Sequence, residues 1–400
     1  MKICVITNLY PPFVRGGAEY LVHQLVLELF KQGHRVSVIT SAPWQSLKSF
    51  KPQLQEELGV RVYRFYPLNL YYYLNASRVI YPVRWLWHII NLFNCSDARR
   101  VKSILKKVKP DLVISSNLMG ISFLPPRVIA HLNIKHLHIL HDVQLLHPSG
   151  LFIWGKKKLS LAMRCYQLCT RWLFKKVSVV VSPSEWLLNE HITRGFFKKC
   201  QKYVLPNPIP QALNKSRIKN AEPPFELLYD GQLAEHKGAR WLIEALKEYQ
   251  RSDFVLHLVV RGDKLNFTKI QEFIEGDKRF AIHWSCTQRE IDEYYDQSHL
   301  VIVPSLCYEN SPVSISKSLM VGTSVLASDI GGIPELIKVG ETGWLFKPGD
   351  KDDFIKKLNW CLDNPNKLLE TGLQASKEFT SRTLVNYTKK IIEVSEVIDN

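Results

Sequence analysis

"LVIVPSLCYENSPVSISKSLMVGTSVLASD" (residues 300–329) carries a strand, a loop, a helix start and a second strand in immediate succession. Leu300 to Val303 is a short apolar run, and Ser324 to Ser328 is another. Between them Asn310, Ser311 and Pro312 are set to start a helix, with Ser311 as its cap and Pro312 in its first turn. Strand, helix, strand is the repeating unit of a mainly parallel sheet with helices on both faces.

The same alternation runs outward in both directions. In the first half "KICVIT" (2–7), "RVSVIT" (35–40), "VRVYRF" (60–65), "DLVISS" (111–116), "HLHILH" (136–141) and "VSVVVS" (177–182) read as strands separated by helical patterns. "LPNPIPQALNKSRIKNAEPP" (205–224) has five prolines and no periodicity, the pattern of a linker. Beyond it "ELLYDGQL", "FVLHLVVRGD", "FAIHWS" and the opening stretch resume the alternation. The expected fold is α/β, with two tandem doubly wound, Rossmann-like domains over 1–208 and 222–380 and one more amphipathic helix over 381–398. Ligands in such sheets bind at the carboxyl ends of the strands, so two facing domains would make a cleft.

Composition bounds the function. With 46% hydrophobic and 22% charged residues the chain is ordinary globular material, long enough for two cores. The start, "MKICVITNLYPPF", lacks the pattern of a secretory signal, and the most apolar stretch, "VIYPVRWLWHIINLF", is interrupted by Pro82 and Arg84. Eight cysteines are scattered; only Cys165 and Cys169 are close, at a spacing that fits no common zinc pattern, so reduced thiols in a cytoplasmic protein are expected. The net charge of +16 divides unevenly: residues 1–210 hold 29 Lys/Arg against 9 Asp/Glu, and residues 211–400 hold 24 against 28. The basic half implies an anionic partner. No nucleic-acid motif accompanies it, so nucleic acid is not the expected partner.

Four strand ends carry candidate chemistry. In "YDGQLAEHKGARW" Lys237 follows a strand and Gly238 opens a helix, where backbone amides and the dipole already favour a phosphate; a surface lysine on a turn fits too. Glu309 stands at the mouth of the helix begun by Asn310, Ser311, Pro312 and Val313, placed either to accept from sugar hydroxyls or simply to complement the helix dipole. Gly331 and Gly332 in "SDIGGIPELI" allow close backbone approach, or a plain turn. In the first half Gly16 and Gly17 lie between a strand and a helix without forming G-x-G-x-x-G, and His141 with Asp142 ends a strand, a position equally open to a structural histidine.

Taken together, "PPFVRGGAE", "LHDVQLLHPSG", "VSPSEW", "VLPNP", "YDGQLAEHKG", "VPSLCYENSP", "VGTSVLASDIGGIPELI" and "ETGWLF" resemble, in this order, the family 4 retaining glycosyltransferases of the GT-B fold. The resemblance implies sugar transfer from a nucleotide-diphosphate sugar to an acceptor, with no metal and no cofactor. It makes Lys237, Glu309 and His141 the catalytic set. It assigns the donor to Gly17, Gln232, Lys237, Glu309, Asn310, Ser311, Pro312, Val313 and Lys317, and the acceptor to Gly16, Gly17, His141 and Asp142. It also implies that the last helix packs back on the first domain.

Two positions depart from the family pattern. Gln232 stands where an arginine usually grips phosphate. Lys317 replaces a second glutamate that accepts from the nucleotide ribose, and an ammonium has three donors and no acceptor. Hence the expected enzyme, acting in cell-surface polysaccharide or glycolipid synthesis, has an alternative: a degenerate subunit that binds sugar nucleotide without turnover. Finally, aromatics interleaved with Lys and Arg over 60–109 and 155–202 suit an anionic membrane surface, giving an expected place on the inner membrane face and a glycan or lipid-linked acceptor.

Overall fold

The computed structural model describes residues 1–156, 160–209, 219–262, 264–379 and 381–397. Part of the expected linker (210–218), part of the second basic stretch (157–159) and the end of the last helix (398) lie outside the described residues. The chain divides into two compact units, each α/β.

The first unit holds an eight-stranded sheet: β1 (Lys2–Ile6), β2 (Arg35–Ser41), β3 (Gln53–Glu57), β4 (Val60–Phe65), β5 (Leu112–Ser115), β6 (Lys135–Ile139), β7 (Val179–Ser182) and β8 (Gln201–Val204), in the order β3-β4-β2-β1-β5-β6-β7-β8. Every pairing is parallel except β3 with β4. β1, β5 and β7 read as unbroken apolar runs because helices cover both faces. The helix Leu384–Glu396, at the far end of the chain, buries Tyr387, Ile391 and Val394 in this unit's core, beside Val22 and Val26 of the helix Gly17–Lys31. Its apolar residues recur at i, i+4 and i+7, one face of a helix.

The second unit holds β9 (Phe225–Gln232), β10 (Phe254–Arg261), β11 (Phe280–Trp284), β12 (Leu300–Val303), β13 (Ser324–Ser328) and β14 (Gly343–Phe346), all parallel, in the order β11-β10-β9-β12-β13-β14. Alternate residues feed two cores. Leu227, Leu256, Leu300 and Ile302 enter one; Leu228, Val259, Val301 and Val303 enter the other. Full burial of such a side chain contributes about 1.5–3 kcal/mol, so this alternation fixes the sheet's register. Among the described residues no helix is long and apolar enough to cross a membrane.

Three strands were not expected from the sequence. All three lie at sheet edges: β3 is polar throughout, where one face needs no apolar side chain, β8 is polar in its first half, and β14 opens on a glycine. The segment from Phe152 to Lys156, read as part of the first domain, packs with the second unit instead. There Trp154 N–H donates to Leu306 O and Tyr308 N–H to Phe152 O, both at 2.9 Å.

The strand orders also locate the switch points. β9 pairs with β10 on one side and β12 on the other, and β1 pairs with β2 and β5. Chains leaving in opposite directions open a crevice at those carboxyl ends.

Candidate functional site

At the switch point of the second unit, β9 runs into the short turn Glu235–Lys237 and β12 runs into the loop bearing Glu309. Lys237 Nζ lies 2.6 Å from Glu309 Oε1, and Ser305 Oγ donates to the same oxygen at 2.8 Å. The two side chains are 27% and 15% exposed, so the pair sits in a recess open to solvent. Burial alone would raise the Glu309 carboxyl, but the Lys237 ammonium and the bonds from Lys237 and Ser305 outweigh it and hold it below its ordinary range. Burial likewise opposes the Lys237 charge, and Glu309 more than restores it, so its pKa is raised. The two charges thus neutralise one another.

Two glycines fix these loops. Gly238 has φ +76°, and a Cβ there would lie 1.9 Å from Pro304 O; Gly331 has φ +65°, and a Cβ would lie 2.3 Å from Glu309 O. Only glycine meets both the dihedral and the contact at either place. Gly332 N–H then donates to Glu309 O at 2.7 Å, so the glycine pair braces the backbone that carries the carboxylate.

The helix Val313–Val321 begins one residue later than the sequence suggests. Pro312 is its N-cap, and no side chain caps it. Ser311 therefore lies outside the helix, and its Oγ is buried with no hydrogen-bond partner among the described residues. The amides of the first turn have no intrahelical acceptor and face the same end as Glu309. An uncapped N-terminus with a buried hydroxyl beside it has donors in place for an anion.

Residues that the sequence reading missed complete the recess. Arg261, at the end of β10, is paired in register with Gln232. Its Nη2 donates to Asp230 Oδ1 at 2.8 Å, and Tyr295 Oη donates to Asp230 Oδ2 at 2.9 Å. Lys317 Nζ lies 3.5 Å from Asp292 Oδ1 and 5.5 Å from the centre of the Tyr295 ring. The strand-end rule that singled out Lys237 would have found Arg261.

In the first unit Gly16 is the N-cap of the helix Gly17–Lys31, in ordinary extended backbone, and its N–H donates to Glu19 Oε2 at 2.8 Å. His141 and Asp142 follow β6, and Asp142 Oδ1 accepts from Gln144 N–H at 2.7 Å. Burial raises the Asp142 carboxyl to about 7, with Glu19 pushing the same way and Arg15 opposing. The Gly16 loop and Asp142 therefore share one electrostatic neighbourhood. Burial lowers His141 to about 4, so its ring is neutral at pH 7 and offers one donor and one acceptor.

Residues 15–212 match the model of Glycosyltransferase Family 4, and residues 211–378 that of the glycosyl transferases group 1. The chain belongs to the family 4 GT-B glycosyltransferases. This glycosyltransferase is 26% identical to an uncharacterised 42.6 kDa protein in the cps region of Klebsiella pneumoniae, over 85% of this chain and 88% of that one. It is 30% identical to the lipopolysaccharide 1,2-N-acetylglucosaminetransferase of Salmonella typhimurium over 38% of this chain and 43% of that one. The Anabaena protein Alr3699/HepE, solved with UDP-glucose, superposes with a TM-score of 0.71 at 18% identity, covering 99% of this glycosyltransferase and 100% of that chain.

Proposed function

We propose that this glycosyltransferase moves a sugar, with retention, from a nucleotide-diphosphate sugar to a glycan or lipid-linked acceptor in the synthesis of a cell-surface polysaccharide or glycolipid. The observation that carries the reading is the Lys237–Glu309 contact at 2.6 Å, at the switch point and beside the uncapped helix at Val313. A diphosphate takes over Lys237 and the amides of the first turn, with Asn310, Ser311 and Pro312 lining its approach and Gln232 donating a neutral hydrogen bond. Glu309, released from Lys237, accepts from the sugar hydroxyls.

The bond from the anomeric carbon to the diphosphate breaks with its electrons passing to the diphosphate, whose charge Lys237 and the amides stabilise without a metal or other cofactor. Retention puts the acceptor oxygen on the face from which the diphosphate departs. The departing oxygen is then the nearest base for the acceptor proton. Gly16, Gly17, His141 and Asp142 of the first unit hold the acceptor, His141 as a neutral donor. The first unit rests on an anionic membrane surface at the cytoplasmic face, where a lipid-linked acceptor would be met.

A second reading, a subunit that binds sugar nucleotide without turnover, is favoured by one observation: position 317 carries a lysine. A thermal-shift screen of nucleotide-diphosphate sugars, followed by donor hydrolysis, tests both. Binding to the native state raises the melting temperature. A shift with hydrolysis supports transfer, a shift without hydrolysis supports the second reading, and no shift at millimolar donor overturns both.

A further inference from the structure

Lys317 and Asp292 meet on the second unit, and nothing in the family match gives Asp292 a part. Lys317 follows Val313 by four residues, so both lie on one face of the helix Val313–Val321, a turn of about 5.4 Å apart. Asp292 lies on the neighbouring helix Gln288–Gln297, three residues before Tyr295. Tyr295 is fully buried and pinned through its hydroxyl to Asp230, making a rigid floor under the Lys317 ammonium. The Lys317 side chain is 9% exposed and that of Asp292 28%, so the lysine sits behind and the carboxylate is open to solvent. An ion pair whose lysine is this enclosed contributes little to stability against an apolar replacement. Asp292 Oδ1 also accepts from Gln288 Nε2 on its own helix, which leaves Oδ2 as the oxygen to face a ligand.

We propose that Asp292 and Lys317 together read the ribose hydroxyls of the donor nucleotide, Asp292 as acceptor and Lys317 as a donor that also positions it. The inference rests on the donor site proposed above. With the diphosphate on the first-turn amides, the ribose bonded to it lies within about one helical turn, the distance from Val313 to Lys317. Each ribose hydroxyl both donates and accepts. Lysine supplies only donors and aspartate only acceptors, so the pair covers both halves of each hydroxyl. The carboxylate missing from position 317 is thus supplied from the adjacent helix.

The test compares UDP, ADP and GDP with their 2′-deoxy counterparts by calorimetry, on wild type, Asp292→Asn, Lys317→Met and the double variant Asp292→Asn/Lys317→Glu. Wild type is expected to prefer the ribonucleotide of its base by roughly tenfold or more, the worth of a hydrogen bond to a charged group. Asp292→Asn should bind both forms alike while binding inorganic pyrophosphate as wild type does. Lys317→Met should lose part of the preference, and the double variant should recover it. A ribose preference undiminished in Asp292→Asn, or none in wild type, overturns the assignment and leaves the phosphate site standing. Wild type that binds no nucleotide and no pyrophosphate removes the donor site itself.

Discussion

The Lys237 ammonium and the Glu309 carboxylate, 72 positions apart in the chain, meet at 2.6 Å and neutralise one another. Two groups proposed to hold different parts of one ligand are each other's counter-ion. Glu309→Gln should therefore uncouple binding from transfer. Its Lys237 is left without a competing carboxylate, so inorganic pyrophosphate should bind at least as tightly as in wild type. Sugar transfer should fall by about 100-fold or more, the usual effect of removing one preorganised polar group. Lys237→Met should lose both. Calorimetry with pyrophosphate and a transfer assay separate these outcomes; Glu309→Gln that loses pyrophosphate binding contradicts the shared-counter-ion reading.

Gly331 offers a second test through packing. Gly331→Ala combines a strained φ of +65° with a Cβ 2.3 Å from Glu309 O. Gly340→Ala carries a φ of +81° but meets nothing within 4 Å. The second should cost about 1 kcal/mol, from dihedral strain alone. The first should cost about 2–3 kcal/mol or displace the Glu309 backbone, and should also weaken donor binding. Urea denaturation and donor titration of both variants check this. Equal losses would mean that the Glu309 contact relaxes freely.

The fold was legible wherever apolar runs alternate with helical periods, because burial on both faces of a parallel sheet leaves that trace in the residues. β3, β8 and β14 left none: all three are edge strands, the first polar, the second half polar and the third opened by a glycine. Lys237 and Glu309 were legible because each lies in the loop or turn that follows a strand. Their contact was not, since it depends on β9 and β12 being neighbours. Asp292 was illegible for a similar reason. "QREIDEYYDQ" reads as a charged solvent-facing helix, and only the packing of two helices brings its fifth residue to Lys317. Ser311 misled because capping turns on a single residue of register.

The basic first unit has a surface that inverts the usual helix pattern. On the helix Tyr81–Leu92 the outward positions Pro82, Leu86 and Ile89, with Phe93 after it, are exposed and all apolar. On the helix Leu161–Phe174 the same is true of Leu161, Leu168 and Trp172. Both flank the segment after Asp142. Gln167 and Tyr166 donate to Leu146 O and Gln144 O at 2.9 and 2.7 Å, and His88 lies within electrostatic reach of His147. Flotation with phosphatidylglycerol vesicles should carry the protein at low salt and less at high salt. Leu86→Glu/Ile89→Glu should reduce binding tenfold or more, since each buried side chain contributes about 1.5–3 kcal/mol. Equal flotation with neutral and anionic vesicles, or none, rules this surface out.

Acid should destabilise the first unit well before carboxylates titrate in the unfolded chain. Ser115 Oγ bridges His136 Nε2 at 2.7 Å and His138 Nδ1 at 2.8 Å in the core, and His191 Nδ1 donates to Leu187 O at 2.8 Å. Burial lowers His136 to about 3, His141 and His191 to about 4, and His138 well below 6.5. Unfolded, each imidazole takes a proton near pH 6.5, so the unfolded state binds more protons and stability falls as the pH drops through that value. Asp97 and Asp142 act in the opposite sense. Burial raises both to about 7, so between that value and about 3.8 the folded state holds protons that the unfolded chain releases. These four imidazoles, with His88, which burial also lowers to about 4, outnumber the two carboxyls, so stability falls between roughly pH 6 and 4 by about 1.4 kcal/mol per pH unit for each proton in excess. Glu309, whose pKa is lowered, adds a further loss only below its unfolded value of 4.5. Urea midpoints measured at pH 7, 6 and 5 should therefore fall steeply, and His191→Gln should remove about one proton's worth of slope. A midpoint unchanged from pH 7 to 5 would mean that these imidazoles accept protons inside the fold.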